Sequence, residues 1–197
     1  MSTYSEQIRF CPWIGAKYGA DSRWRLPLLI LGESHYDRGE RPVTRNFTKE
    51  LTEDYASGDF NHIYWTNITT ALLGEKASAK NRYDLWHSLA FYNYVQEIVG
   101  DNPGQRPTDA MWNKSKEPLN EVLTTLKPKC ILVVCKDLWS HLDVDTYPNG
   151  IIEANGKKIP TGMIGATFSG VVPHVSRGFS ALSWHPVIMR FIAKAMN

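Results

Sequence analysis

The run Cys130-Ile131-Leu132-Val133-Val134-Cys135 has no polar or charged side chain at any of its positions. Six apolar residues in a row, rich in β-branched types and preceded by the helix-stopping Pro128, read as a buried strand. Leu28-Leu29-Ile30-Leu31, ending at Gly32, is a second run of the same kind. Between and after these runs the pattern turns helical. Residues Thr44 to Tyr55 carry it, Asn67 is placed to cap a helix running to Leu73 and closed by Gly74, and Thr108 opens a segment with apolar positions at Met111, Trp112, Leu119, Val122, Leu123 and Leu126, interrupted by Pro118. Residues 85–95 read as a helix end, a strand and then a turn around Phe91-Tyr92-Asn93. Lys136 to Leu142 reads as a short helix. Asn155-Gly156 between Ile151–Ala154 and Lys157–Ile159 is a two-residue hairpin signal. Strand-like residues return at Met163–Phe168 and Val171-Val172, and Pro186 suits the first turn of a terminal helix reaching Ala195. Strands alternating with helices predict a three-layer α/β/α fold with a mostly parallel central sheet. No internal repeat or low-complexity segment divides residues 1–197, which are expected to form one domain.

Composition narrows the class. The chain has 197 residues, 43% of them hydrophobic and 21% charged, which excludes a disordered polymer. No apolar run approaches the roughly 18 residues of a membrane helix, and Met1 to Glu6 lacks a signal-peptide pattern, so a cytoplasmic location is expected. The three cysteines, Cys11, Cys130 and Cys135, include no C-x-x-C pair, and neither a metal nor another cofactor is expected. No protein partner is evident. Net charge is +2, but five of the basic residues and a single acid lie beyond residue 150. This predicts a weakly basic face for a polyanion.

In layered α/β sheets ligands bind beyond the carboxyl ends of the strands. After the first strand comes Gly32-Glu33-Ser34-His35-Tyr36, after the middle one Asn93, and after the last Pro173-His174-Val175-Ser176-Arg177-Gly178-Phe179-Ser180. These blocks resemble, in order and strand context, those of the uracil-DNA glycosylase superfamily. In that family a strand leads into Gly-Gln-Asp-Pro-Tyr, a Phe follows the Tyr by eleven residues (here Phe47), a strand-end Asn reads the base, and His-Pro-Ser precedes a loop that wedges into DNA. Ser34 stands where the best-known branch has its water-activating Asp, His35 replaces a Pro, and so does Val175. The resemblance therefore implies a divergent branch.

What it implies chemically is a DNA glycosylase without a lyase step, since no lysine lies in the blocks. Hydrolysis of an N-glycosidic bond gives the sugar oxocarbenium character and the base negative charge. Glu33, with Ser34 or His35, would supply the negative charge or position water, and His174 would donate to the departing base. Tyr36, Phe47 and Asn93 would hold the base. Ser176, Arg177, Phe179 and Ser180 would contact DNA and fill the hole left by the flipped nucleotide. The polar residues around Tyr36 favour a modified base, such as a glucosylated hydroxymethylcytosine in phage DNA removed as antiviral defence, over uracil removed in base-excision repair. Two other readings are open. Gly32-Glu33-Ser34 with His185 resembles a serine esterase, and the loss of the Asp suggests a non-catalytic DNA-binding protein. His62, His87 and His141 have no partner pattern and are read as structural.

Overall fold

The apolar runs become strands because their side chains are covered from both sides. The structure, a computed structural model, describes residues 4–102, 104–176 and 178–196. Strands β1 (Trp13–Ile14) and β2 (Leu28–Gly32) precede helices α1 (Phe47–Ser57), α2 (Ile63–Leu73) and α3 (Ala79–Trp86). Strand β3 (Ala90–Asn93) leads to α4 (Asp109–Lys114) and α5 (Lys116–Leu126), and β4 (Cys130–Val133) to α6 (Lys136–His141). Then β5 (Val144–Ala154), β6 (Lys157–Ile164) and β7 (Thr167–Val171) follow one another, and α7 (Ala181–Lys194) ends the order.

All seven strands form one sheet in the order β1-β3-β2-β4-β7-β6-β5. The four central strands β3, β2, β4 and β7 are parallel, while β1 and the β6–β5 hairpin are antiparallel to their neighbours. The sheet is thus mixed: the expectation of a mostly parallel sheet describes its centre, and the antiparallel strands are the outer ones. The β5–β6 hairpin turns at Asn155 and Gly156, both at positive φ, 50° and 70°. That is the conformation a type I′ turn requires, and it matches the strand twist.

Alternation of side chains splits the core into two halves. Leu28, Ile30, Phe91 and Leu132 face one way and pack with Tyr55, Trp65, Leu72, Leu85, Val187 and Phe191 of α1, α2, α3 and α7. Leu29, Leu31, Tyr92, Ile131 and Val133 face the other way, against Trp112, Leu119, Val122 and Leu138 of α4, α5 and α6. Each fully buried Leu or Ile contributes about 1.5–3 kcal/mol of transfer free energy, so two covered faces make the sheet the anchor of the molecule.

Several boundaries differ from the sequence reading. Phe91-Tyr92-Asn93 is strand, not turn, because all three side chains are buried in β3. Helix α2 begins four residues before Asn67, capped by the His62 side chain, and ends at Gly74 in the left-handed conformation (φ 75°). Asn67 sits mid-helix, where its amide donates to the Val175 and Ser176 carbonyls at 3.0 Å each. Helix α7 starts at Ala181, with Pro186 in its interior. The carbonyl four residues earlier belongs to Leu182, an exposed residue in the first turn of the helix. No helix among the described residues is long and apolar enough to cross a membrane.

Gly170 marks a close contact between the sheet and α7. A Cβ there would lie 2.6 Å from Phe191 Cε2 and 2.7 Å from Ile159 Cγ2. Gly170→Ala is expected to destabilise the fold by about 1–3 kcal/mol through overpacking. Urea denaturation of the variant checks this, and an unchanged midpoint would show that α7 shifts freely on the sheet.

Candidate functional site

Chain direction opens a crevice at the carboxyl end of β2. The chain leaves β2 for helices on one face and leaves β4 for a helix on the other, so the segments after them diverge. Pairing between β2 and β3 also continues past the strand ends. Gly32 lies in register with Asn93. Beyond it Tyr94, Val95 and Val99 donate backbone bonds to the carbonyls of Gly32, Glu33 and His35, and Asp37 donates to Gly100. The Glu33–Asp37 segment is thereby fixed along one wall of a cleft of about 440 Å³.

Eight of the residues singled out in the sequence line this cleft: Glu33, Ser34, His35, Tyr36, Phe47, Asn93, His174 and Ser176. Phe179 and Ser180 do not. The Phe179 ring stacks on Trp184, with centroids 5.7 Å apart and planes at 14°. Ser180 precedes α7, where its carbonyl accepts a bond from the Ser183 hydroxyl. Arg177 lies outside the described residues. His185, the base of the esterase reading, is inside α7 and bonded through Nδ1 to the Ala71 carbonyl at 2.9 Å, away from the cleft that Ser34 lines.

Glu33 is 5% exposed, yet it carries a defined set of partners. Its Oε2 accepts from Arg106 Nη2 at 2.9 Å and from the Cys135 thiol at 3.2 Å. Arg106 also bonds Asp137, so one guanidinium bridges a buried and an exposed carboxylate. Burial pushes the Cys135 thiol up to about 12, which keeps it protonated and a donor. Oε1 accepts no bond from a described residue and is left for water or a ligand.

His35 is enclosed between the rings of Phe10 and Phe47, each 5.1 Å from it and edge-on. Its Nε2 contacts Thr48 Oγ1 at 2.7 Å and Asn93 Nδ2 at 3.2 Å. The same Asn93 nitrogen donates to the Ser34 carbonyl at 3.1 Å, which identifies it as the amide nitrogen. Nε2 must then accept, and the ring is neutral with its proton on Nδ1. Burial pushes this imidazole down to about 3.

His174 is exposed as a residue, but its ring rests against Tyr64, 5.8 Å away. Loss of solvent on that side lowers its pKa; Arg106 acts in the same sense and Glu33 opposes it. Tyr36 donates its hydroxyl to the Gln105 carbonyl at 3.3 Å, tying the first block to the loop that carries Arg106.

Four participants were given no site role in the sequence reading. Tyr64 and His62 line the cleft, and Arg106 and Cys135 hold Glu33. His62, read there as structural, caps α2 and faces the cleft at once. The signal available was a Tyr64/Asn67 pair at i, i+3 on an otherwise apolar helix. Among the described residues no group of three or more His, Cys, Asp or Glu converges as a metal site.

No family model matches the chain, and no curated protein matches it. The names that the resemblance attached to the chain (glycosylase, uracil, base excision, antiviral defence) therefore rest on no relative, and the sequence reading is corrected to that extent. The chemistry of the cleft has to be taken from its own side chains.

His35 links this site to acid stability. The unfolded chain takes up a proton on this residue below about pH 6.5, whereas the native state refuses it down to about pH 3. Its contribution is therefore complete above pH 6.5 and is lost as the pH falls towards 3. In urea denaturation between pH 4 and 7, the stability advantage of the wild type over His35→Gln is expected to shrink as pH falls. A constant difference would show that His35 takes up its proton at the same pH in the native state as in the unfolded chain.

Proposed function

We propose that the cleft receives one nucleotide turned out of DNA and hydrolyses the bond between its base and its sugar. The observation that carries this reading is the state of Glu33: a buried carboxylate that lines a cleft walled by aromatic rings and is held through Oε2 by Arg106 and Cys135. Flat walls from Phe47 and Tyr64 suit a heteroaromatic ring, and Asn93 supplies a polar group for its edge.

In the reaction a water oxygen bonds to C1′ as the C1′–N bond breaks, with the bonding pair leaving on the base. Glu33 faces the positive charge that develops on the sugar and takes the water proton, which passes to solvent. His174, kept neutral by its lowered pKa, donates an N–H to the base carbonyl where negative charge grows. The departing ring nitrogen is then protonated from solvent. Arg106 and Cys135 orient Glu33. Arg38 and Arg41 at the cleft supply positive charge for neighbouring phosphates, although Arg41 is shared with Asp54 at 2.7 Å.

The cleft volume of about 440 Å³ lies within the ~300–1,000 Å³ of sites for drug-sized ligands, more than a bare pyrimidine needs. Asp37, Arg38, Glu40 and Arg41 on its outer side are partners for hydroxyl groups. These features favour a base with a polar substituent, such as a glucosylated hydroxymethylcytosine.

The test is incubation of the protein with unmodified, deaminated and glucosylated DNA, with released base read by mass spectrometry. Release from at least one substrate is expected, and Glu33→Gln is expected to slow it by about 100-fold or more. Full turnover by Glu33→Gln would sink the assignment of Glu33. Salt-sensitive binding with no base released from any DNA would replace the enzyme by a non-catalytic DNA-binding protein.

A further inference from the structure

The amide of Asn93 is committed before any ligand arrives. Asn93 is 4% exposed, and its Nδ2 is spent on two protein acceptors, the Ser34 carbonyl and His35 Nε2. An amide nitrogen has two hydrogens, so no donor remains on this side chain. His35 stays beside it, because the ring is enclosed by Phe10 and Phe47, and the Thr48 hydroxyl shares the same Nε2 acceptor at 2.7 Å. What Asn93 presents to the cleft is Oδ1 alone, which accepts no bond from a described residue.

Tyr64 supplies the opposite polarity beside it. Its hydroxyl lies 2.6 Å from the point where a side chain on Gly32 would begin, and Asn93 Oδ1 crowds the same point. The two oxygens are therefore neighbours, and the missing side chain at Gly32 makes room for both. The Tyr64 hydroxyl bonds no described residue, and burial raises its pKa well above 10, so it stays a donor at every working pH. Its ring is held by Trp65, Phe91 and His174 at 5.3, 6.3 and 5.8 Å.

We propose that Tyr64 and Asn93 together read the edge of the bound ring, Asn93 only as acceptor and Tyr64 as donor. The pair selects heterocycles whose edge carries an N–H directly beside a carbonyl oxygen or an unprotonated ring nitrogen. A ring alkylated at that N–H leaves Oδ1 buried against a methyl group, which costs the unmade bond in full. This rests on the nucleobase reading above and adds a specificity-determining residue, Tyr64, on α2, outside the three strand-end blocks.

The experiment is binding of small probes to the full chain, followed by ligand-observed NMR. The probes are 1-methylthymine, 1-methylcytosine and 9-methyladenine, each beside a counterpart methylated so that its edge N–H is gone. At least one parent base is expected to bind, with its blocked counterpart about tenfold weaker or worse. Tyr64→Phe is expected to weaken the parent by about tenfold while leaving the blocked compound unchanged. That is a pattern a merely structural role would not give. Thr48→Val, which loosens His35, is expected to narrow the gap between parent and blocked compound. Equal binding of parent and blocked bases, or a Tyr64→Phe protein that binds as the wild type does, overturns the edge pair and leaves the nucleobase reading standing. Absence of binding by every probe overturns the edge pair, and the nucleobase reading then stands or falls by the base-release assay above.

Discussion

The register between β2 and β3 decides what this molecule can do. Leu29, Ile30 and Leu31 lie opposite Ala90, Phe91 and Tyr92, and that alignment brings Gly32 beside Asn93. A slip of one residue would send each apolar side chain of β3 to the wrong half of the core. It would also carry Asn93 away from the Ser34 carbonyl and from His35. Because Gly32 has no side chain, the Asn93 amide and the Tyr64 hydroxyl occupy the space above it. The core fixes the register, and the register fixes the cleft.

Within the cleft the polar groups divide into those already paired and those left open. Burying a polar group is costly unless it is bonded, so most such groups find partners. Here Glu33 Oε2, Asn93 Nδ2 and His35 Nε2 are paired inside the protein. Glu33 Oε1, Asn93 Oδ1 and the Tyr64 hydroxyl bond none of the described residues. The satisfied atoms hold the three side chains in place, and Glu33, Asn93 and Tyr64 all line the cleft. Such an arrangement is preorganised: the cost of orienting the groups is met in folding and not on binding.

The strand-end reading of the sequence found Glu33, His35, Asn93 and His174 because topology, not kinship, gathers those positions. The buried runs were legible for the same reason, since a strand covered on both faces has to be apolar throughout. What escaped was anything that depends on which way a helix faces. Asn67 looks like a cap in isolation, and only the packed structure shows its amide holding the Val175 and Ser176 carbonyls. Tyr64 belongs to an apolar helix and looks like core. Charge counted along the chain says little of where a cation ends up. Of the C-terminal cations, Lys157 lies over the Trp184 ring, Lys158 pairs with Glu153, and Arg190 bonds the Glu153 carbonyl. Among the described residues the arginines at or beside the cleft are Arg38, Arg41 and Arg106, from a stretch whose net charge is negative.

Arg106 shows why such a residue resists prediction. It lies in an irregular loop with no periodicity, and its side chain is 49% exposed, like that of Asp137, whereas Glu33 is 5% exposed. An ion pair with both members in water is worth little, because solvent screens it. A pair with one buried member differs, since removing the cation strands a carboxylate that has lost its water. The loop that carries Arg106 is joined to the first block by Tyr36 on Gln105 and by Asp37 on Gly100. Its position is therefore set by the same segment that presents Glu33. Cation and carboxylate are delivered together by two stretches of chain that follow neighbouring parallel strands, and a surface arginine becomes the residue that orients a buried one.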